Sequence, residues 1–218
     1  MLFRSLTPIS VTGAPSGFGR DLARIVLENG GSAVATARRP EVLADLVAKY
    51  PADRLLTHKL DVTKPQDILD AFAAAKAKFG RVDVVANNAG YAAMGEAESM
   101  VEADMRAMFE TNFWGATNVS REAVRFFREA NPAGAGGRLL QFSSMAGLKG
   151  APGVSYYCAT KFGECIRAVN GKALDYAERV CLSLLALEGF SEGLAQELDP
   201  AWNIKVSDAC TGRSGNDL

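Results

Sequence analysis

The chain has 218 residues, 48% of them hydrophobic and 22% charged, with a formal net charge of −1. That size suits one domain with a substantial core, and the near-balanced charge excludes the basic field that nucleic acid or an anionic membrane calls for. No apolar run reaches the roughly 18 residues of a membrane span, and residues 1–10 lack the pattern of a signal peptide, so a cytoplasmic protein is expected.

The predicted elements alternate strand and helix. Ile9–Thr12 reads as a first strand, and Gly17–Glu28 as a helix with Leu22, Ile25 and Val26 on one face. Ser32–Ala37 is a second strand, followed by a helix over about 41–50, and Leu55–Leu60 is a third. Thr63 is expected to cap a helix with Pro65 in its first turn and an end near Gly80. Val82–Ala86 forms a fourth strand, residues 101–130 a long helix, and Arg138–Phe142 a fifth strand. Short apolar strands set between helices suit a parallel sheet covered on both faces. The predicted fold class is α/β: a Rossmann-like, doubly wound parallel sheet in three α/β/α layers, one domain over 1–206.

The cysteines, Cys158, Cys165, Cys181 and Cys210, have no metal-ligand spacing, and the one histidine, His58, sits in a strand. No metal is expected.

The first strand runs into Thr12-Gly13-Ala14-Pro15-Ser16-Gly17-Phe18-Gly19, and a helix follows at once. Glycines at such a turn let backbone N–H groups approach a pyrophosphate at the positive end of the helix. A ligand-free glycine turn is the alternative. The second strand ends in Ala37-Arg38-Arg39, where an NAD site usually places an acidic residue for the ribose 2′-hydroxyl. Two arginines suit a 2′-phosphate instead, so NADP is expected in preference to NAD, unless they only form a solvated loop.

Further separated segments are Leu60-Asp61-Val62, Asn87-Asn88-Ala89-Gly90, Thr111-Asn112-Phe113-Trp114-Gly115, Phe142-Ser143-Ser144-Met145-Ala146-Gly147, and Tyr157-Cys158-Ala159-Thr160-Lys161. With the glycine run, they together resemble the short-chain dehydrogenase/reductase family. The resemblance implies catalytic roles for Asn112, Ser144, Tyr157 and Lys161. It implies cofactor contacts from Gly13, Ser16, Gly17, Phe18, Gly19, Arg38, Asp61, Val62, Asn88, Ala89, Gly90, Tyr157 and Lys161. Only Tyr157, not its neighbour Tyr156, stands four residues before a lysine, and Ser144 fits the family's spacing better than Ser143.

A tyrosine with an ordinary pKa of about 10 is a poor base near neutrality, and a lysine one helical turn later favours the phenolate. Tyr157 would exchange a proton with the substrate oxygen while Ser144 donates a hydrogen bond to it. By the resemblance, Lys161 holds the nicotinamide ribose and Asn112 anchors a water linked to Lys161. The implied activity is NADP-dependent interconversion of a small carbonyl compound and an alcohol. Asp83, Glu96 and Glu98 read as surface or structural residues.

Residues 163–185 interrupt what the family continues as one helix into Ala186–Leu194, as a short in-frame retained intron or a surface excursion would. Asn203–Val206 reads as the start of a sixth strand, and 207–218 as an irregular tail, with the last strand and the substrate lid missing. The resemblance implies a homo-oligomer built through two long helices, one of which carries the 163–185 segment. The competing reading is a non-catalytic nucleotide-binding chain that the insert and the missing lid prevent from turning over.

Overall fold

A computed structural model describes residues 8–147, 149–161 and 187–211 of the chain. Strands β1 (Pro8–Val11), β2 (Ser32–Ala37) and β4 (Val84–Asn87) are buried at every position, as parallel strands covered on both faces must be. With β3 (Leu55–Lys59), β5 (Gly137–Ser144) and β6 (Ile204–Thr211) they form a 6-stranded sheet in the order β3-β2-β1-β4-β5-β6, and every pairing is parallel.

Successive side chains leave a strand on opposite faces, so the sheet feeds two cores. Ile9, Val11, Ala33, Ala35, Val84 and Ala86 cluster with Val26 and Leu27 of helix α1 (Gly17–Glu28), with Leu43 of the Pro40–Leu43 turn, and with Leu46 of α2 (Ala44–Lys49). Val34, Val85 and Leu139 face the other way. They join Ile68 and Phe72 of α3 (Pro65–Phe79) and Val119, Phe126 and Phe127 of α5 (Ala116–Glu129). The rings of Phe72 and Phe126 stand 5.4 Å apart, tilted by 48°. The three-layer, doubly wound fold follows from these two faces, in one domain.

Three expectations change. The single helix over 101–130 is two helices, α4 (Glu102–Phe109) and α5, around a π turn at Glu110–Gly115. The wider turn lets both Asn112 and Gly115 point inward. Only glycine fits at 115, where a Cβ would stand 3.0 Å from that of Val62. Thr63 is not the cap of α3. Lys64 is, and the Thr63 hydroxyl donates instead to Asp61 Oδ1 at 2.8 Å.

The third change is at the end of the sheet. Residues 207–211, expected to be irregular, continue β6 as far as Thr211. The eight residues of β5 offer it a ladder from Gly137↔Ile204 to Ser144↔Thr211. Helix α6 (Ser155–Lys161) and α7 (Leu187–Glu197) complete the described α-helices. The predicted insert at 163–185, and residues 212–218 with the expectation of a missing strand and lid, lie outside the described residues.

Candidate functional site

Between β1 and β4 the strand order turns back on itself, which in an open α/β sheet opens a crevice at the carboxyl ends of the strands. The two loops bordering it are tied together. Thr12 Oγ1 accepts from the backbone N–H groups of Asn88 and Ala89, both at 2.9 Å. In return, Asn88 Nδ2 donates to the carbonyl oxygens of Thr12 at 3.0 Å and Gly13 at 3.2 Å.

The turn itself has to be glycine. Gly13 and Gly17 hold φ of +68° and +55°, which L side chains rarely adopt. A methyl group on Gly13 would stand 3.0 Å from Ala89 Cα, and one on Gly19 would run into the Gly13 carbonyl oxygen and the Asn88 amide. Ser16 is the N-cap of α1 and makes no side-chain capping bond, and the first-turn N–H groups of any helix lack intrahelical partners. A bare backbone at the positive end of a helix fits the pyrophosphate of a dinucleotide.

A cavity of about 300 Å³ opens here. One wall is Gly13, Ser16, Gly17 and Phe18, the facing wall is Asn88, Ala89, Gly90 and Tyr91, and the third is Phe142, Ser143, Tyr157 and Lys161. The structure thus gathers the glycine turn, the segment after β4, and the tyrosine and lysine of α6 around one space. Lys161 is 6% exposed, and its Nζ donates to the Phe142 carbonyl at 2.9 Å. Tyr156 points elsewhere, donating its hydroxyl to the Ala97 carbonyl at 3.3 Å.

Neither Asn112 nor Ser144 lines this cavity. Asn112 is fully buried in the π turn: its Oδ1 accepts from Tyr91 N–H at 3.0 Å, and its Nδ2 donates to Tyr91 O at 2.8 Å and to Thr160 Oγ1 at 3.1 Å. It lies next to Gly90, where a Cβ would stand 3.1 Å from Asn112 Oδ1. Ser144 closes β5, and its hydroxyl oxygen accepts from Ala146 N–H at 3.2 Å; on the cavity wall stands its neighbour Ser143.

Arg38 is exposed at the end of β2, and its charge acts on Asp61. Partial burial pushes the Asp61 carboxyl up. The Thr63 hydroxyl at 2.8 Å and N–H at 3.1 Å, with Lys64 and Arg38, more than offset this and hold it below the usual carboxylate range. Val62 is buried beside Gly115. Asp83 accepts from Arg81 Nε at 2.7 Å, and His58 Nδ1 lies 2.7 Å from the Lys59 carbonyl; neither lines the cavity. No group of metal-binding side chains occurs among the described residues.

Sequence reasoning passes over several residues that build this place. Tyr91 and Thr160 hold Asn112; Tyr91 only follows one motif, and Thr160 fills a variable position inside another. Asn87 Nδ2 donates to Gln141 Oε1 and Ala116 O, each at 2.8 Å, while Gln141 Nε2 donates to Ser120 Oγ at 2.7 Å. This buried network joins β4, β5 and α5 under the site. Asn87 Oδ1 is buried there with no hydrogen-bond partner among the described residues.

The profile of the short chain dehydrogenase family matches residues 8–179. An uncharacterized oxidoreductase of Schizosaccharomyces pombe is 35% identical over 203 residues, 93% of this chain and 59% of its own length. The NADPH-dependent 1-acyldihydroxyacetone phosphate reductase of Saccharomyces cerevisiae is 29% identical over 210 residues, 95% of this chain and 61% of its own. The crystal structure of a short-chain dehydrogenase from Streptomyces avermitilis superposes with a TM-score of 0.75 at 37% identity, covering 94% of this chain and 65% of that one. The chain spans about 60% of the length of the curated relatives it matches. None of the described helices is long and apolar enough to cross a membrane.

Proposed function

The chain belongs to the short-chain dehydrogenase family, and from that membership we propose that it is an NADP-dependent oxidoreductase that interconverts a carbonyl and a secondary alcohol. The observation that carries the reading is the convergence of the glycine turn, Tyr157 and Lys161 on one cavity. A bound nicotinamide cofactor would supply or accept the hydride.

The chain's own part is binding and proton management. Gly13, Ser16, Gly17, Phe18 and Gly19 hold the pyrophosphate, with Asp61, Val62, Asn88, Ala89 and Gly90 along the rest of the nucleotide. Arg38 pairs with the 2′-phosphate, a charge-assisted contact; the name of the NADPH-dependent yeast relative supports this preference. Tyr157 gives its phenolic proton to the carbonyl oxygen, or takes one from the alcohol. Ser144 orients that oxygen, Lys161 holds the ribose and keeps positive charge beside Tyr157, and Asn112 anchors the water that links Lys161 to solvent. The substrate is a small carbonyl or alcohol compound, and pairing of two chains through long helices belongs to the same reading.

Titration of the purified chain with NADPH and NADH, followed by cofactor fluorescence and thermal shift, tests it. NADPH is expected to bind about tenfold tighter than NADH, the worth of one hydrogen bond between charged groups. Equal affinities would remove Arg38 from the phosphate site. Binding without reduction across a panel of ketones and aldehydes would make the chain a nucleotide binder and not an enzyme.

A further inference from the structure

Thr160 is fully buried, one residue before Lys161, and it does not line the cavity. Its Oγ1 receives an N–H from Asn112 at 3.1 Å and donates its own proton to the Tyr157 carbonyl at 2.8 Å. Asn112 is itself gripped by the backbone of Tyr91 through both ends of its amide. A line of hydrogen bonds therefore runs from the loop after β4, through the π turn, to the helical turn that carries Tyr157 and Lys161.

A threonine that bonds back to its own helix is ordinary when it stands alone. Here the same oxygen also has a partner on another element. That partner polarises the hydroxyl and turns a local bond into a brace between two elements. Both protons of the Asn112 amide find acceptors, Tyr91 O and Thr160 Oγ1, and Asn112 and Thr160 are both fully buried. A lost partner would leave one of them unpaired.

We propose that Thr160 is a positioning residue: its hydroxyl fixes where the Tyr157–Lys161 turn of α6 stands relative to the π turn, and so where Lys161 meets the nicotinamide half of the cofactor. The proposal rests on the NADP reading above. Thr160 acts through Tyr157 and Lys161 and touches neither cofactor nor substrate.

Thr160→Val removes the hydroxyl at nearly constant shape, and Thr160→Ser keeps it while removing a methyl. Each is titrated with NADPH across a pH series and with the adenosine bisphosphate fragment of NADP, which lacks the nicotinamide half. The valine variant is expected to raise the NADPH dissociation constant about tenfold, as the loss of the buried bond to Asn112 implies, and to shift its pH dependence. Affinity for the fragment stays within about twofold, because the glycine turn is untouched. The serine variant returns NADPH binding to that of the natural chain. Should Thr160→Val not fold, Thr160→Cys, a weaker hydrogen-bonding side chain of similar size, takes its place in the comparison.

The proposal is overturned if the valine variant binds NADPH as tightly as the natural chain, if it loses the fragment equally, or if serine behaves like valine. A natural chain that takes up neither NADPH nor the fragment would overturn the underlying reading, and this inference with it.

Discussion

Around the glycine turn the site is made of backbone. Carbonyl oxygens of Thr12 and Gly13 meet one amide, Gly13 and Gly17 stand at positive φ, and a methyl group at 13 or 19 would collide. Around Tyr157 it is made of side chains, with Asn112 and Thr160 linked end to end behind the cavity wall. The difference teaches which changes each half can absorb. A backbone cradle is indifferent to most neighbouring side chains and intolerant of one added carbon. A side-chain relay keeps its fold after a substitution but loses alignment, because its bonds depend on one another.

The sharpest way to break this comparison is Tyr157→Phe. Turnover is expected to fall by about a hundred- to ten-thousandfold, the usual worth of a positioned acid or base, with NADPH affinity within about twofold of the natural chain. Steady-state rates beside a fluorescence titration decide it, and a parallel collapse of binding would show that the two halves are not separable. Next in size is Gly19→Ala. Forcing a methyl against the Gly13 carbonyl and Asn88 is expected to cost about 1–3 kcal/mol of stability and to weaken NADPH and NADH alike. Thermal melts with and without cofactor read both, and a variant as stable as the natural chain would mean the cradle yields.

Arg38→Ala sharpens the nucleotide half. It is expected to weaken NADPH about tenfold and leave NADH unmoved; equal losses would assign the arginine a general electrostatic role. The smallest effect belongs to Asp61. Its carboxyl is held below the usual range, so it stabilises the fold above the unfolded value of about 3.9, and that stability is lost as pH falls through the lower folded value. Asp61→Asn should flatten the acid side of a melting-temperature profile by less than about 2 °C, since the group is only partly buried and solvent screens it.

How much of this the sequence discloses depends on how far apart the partners lie. The strands β1, β2 and β4 and the glycine turn are legible because each is a local pattern: an apolar run, then glycines at fixed offsets. Tyr157 and Lys161 are legible because one helical turn places them together. The bonds between Thr12 and Asn88 span 76 residues, and nothing local announces them. Gln141 and Ser120 likewise read as scattered polar residues until the sheet and α5 bring them to Asn87. Residues 207–211 escape notice for a different reason. In β6, Ile204 and Val206 are half-buried while Lys205 and Ser207 are exposed, so a strand covered on one face reads as a polar tail. The change of turn at 110–115 is hidden too, since the apolar pattern is helical on both sides of it.

That turn makes the position of Asn112 a matter of counting. A π turn holds one residue more than the α turn it replaces, and every helical residue swings the chain through about 100°. Helices α4 and α5 are therefore one step out of phase with each other. Deleting any single residue between 110 and 115 would close the turn and bring them into phase. Val119, Ala123 and Phe127, all buried now, would then swing roughly a quarter turn toward water, or α4 would have to swing instead. Between these two helices the chain can exchange residues, but it cannot change their number.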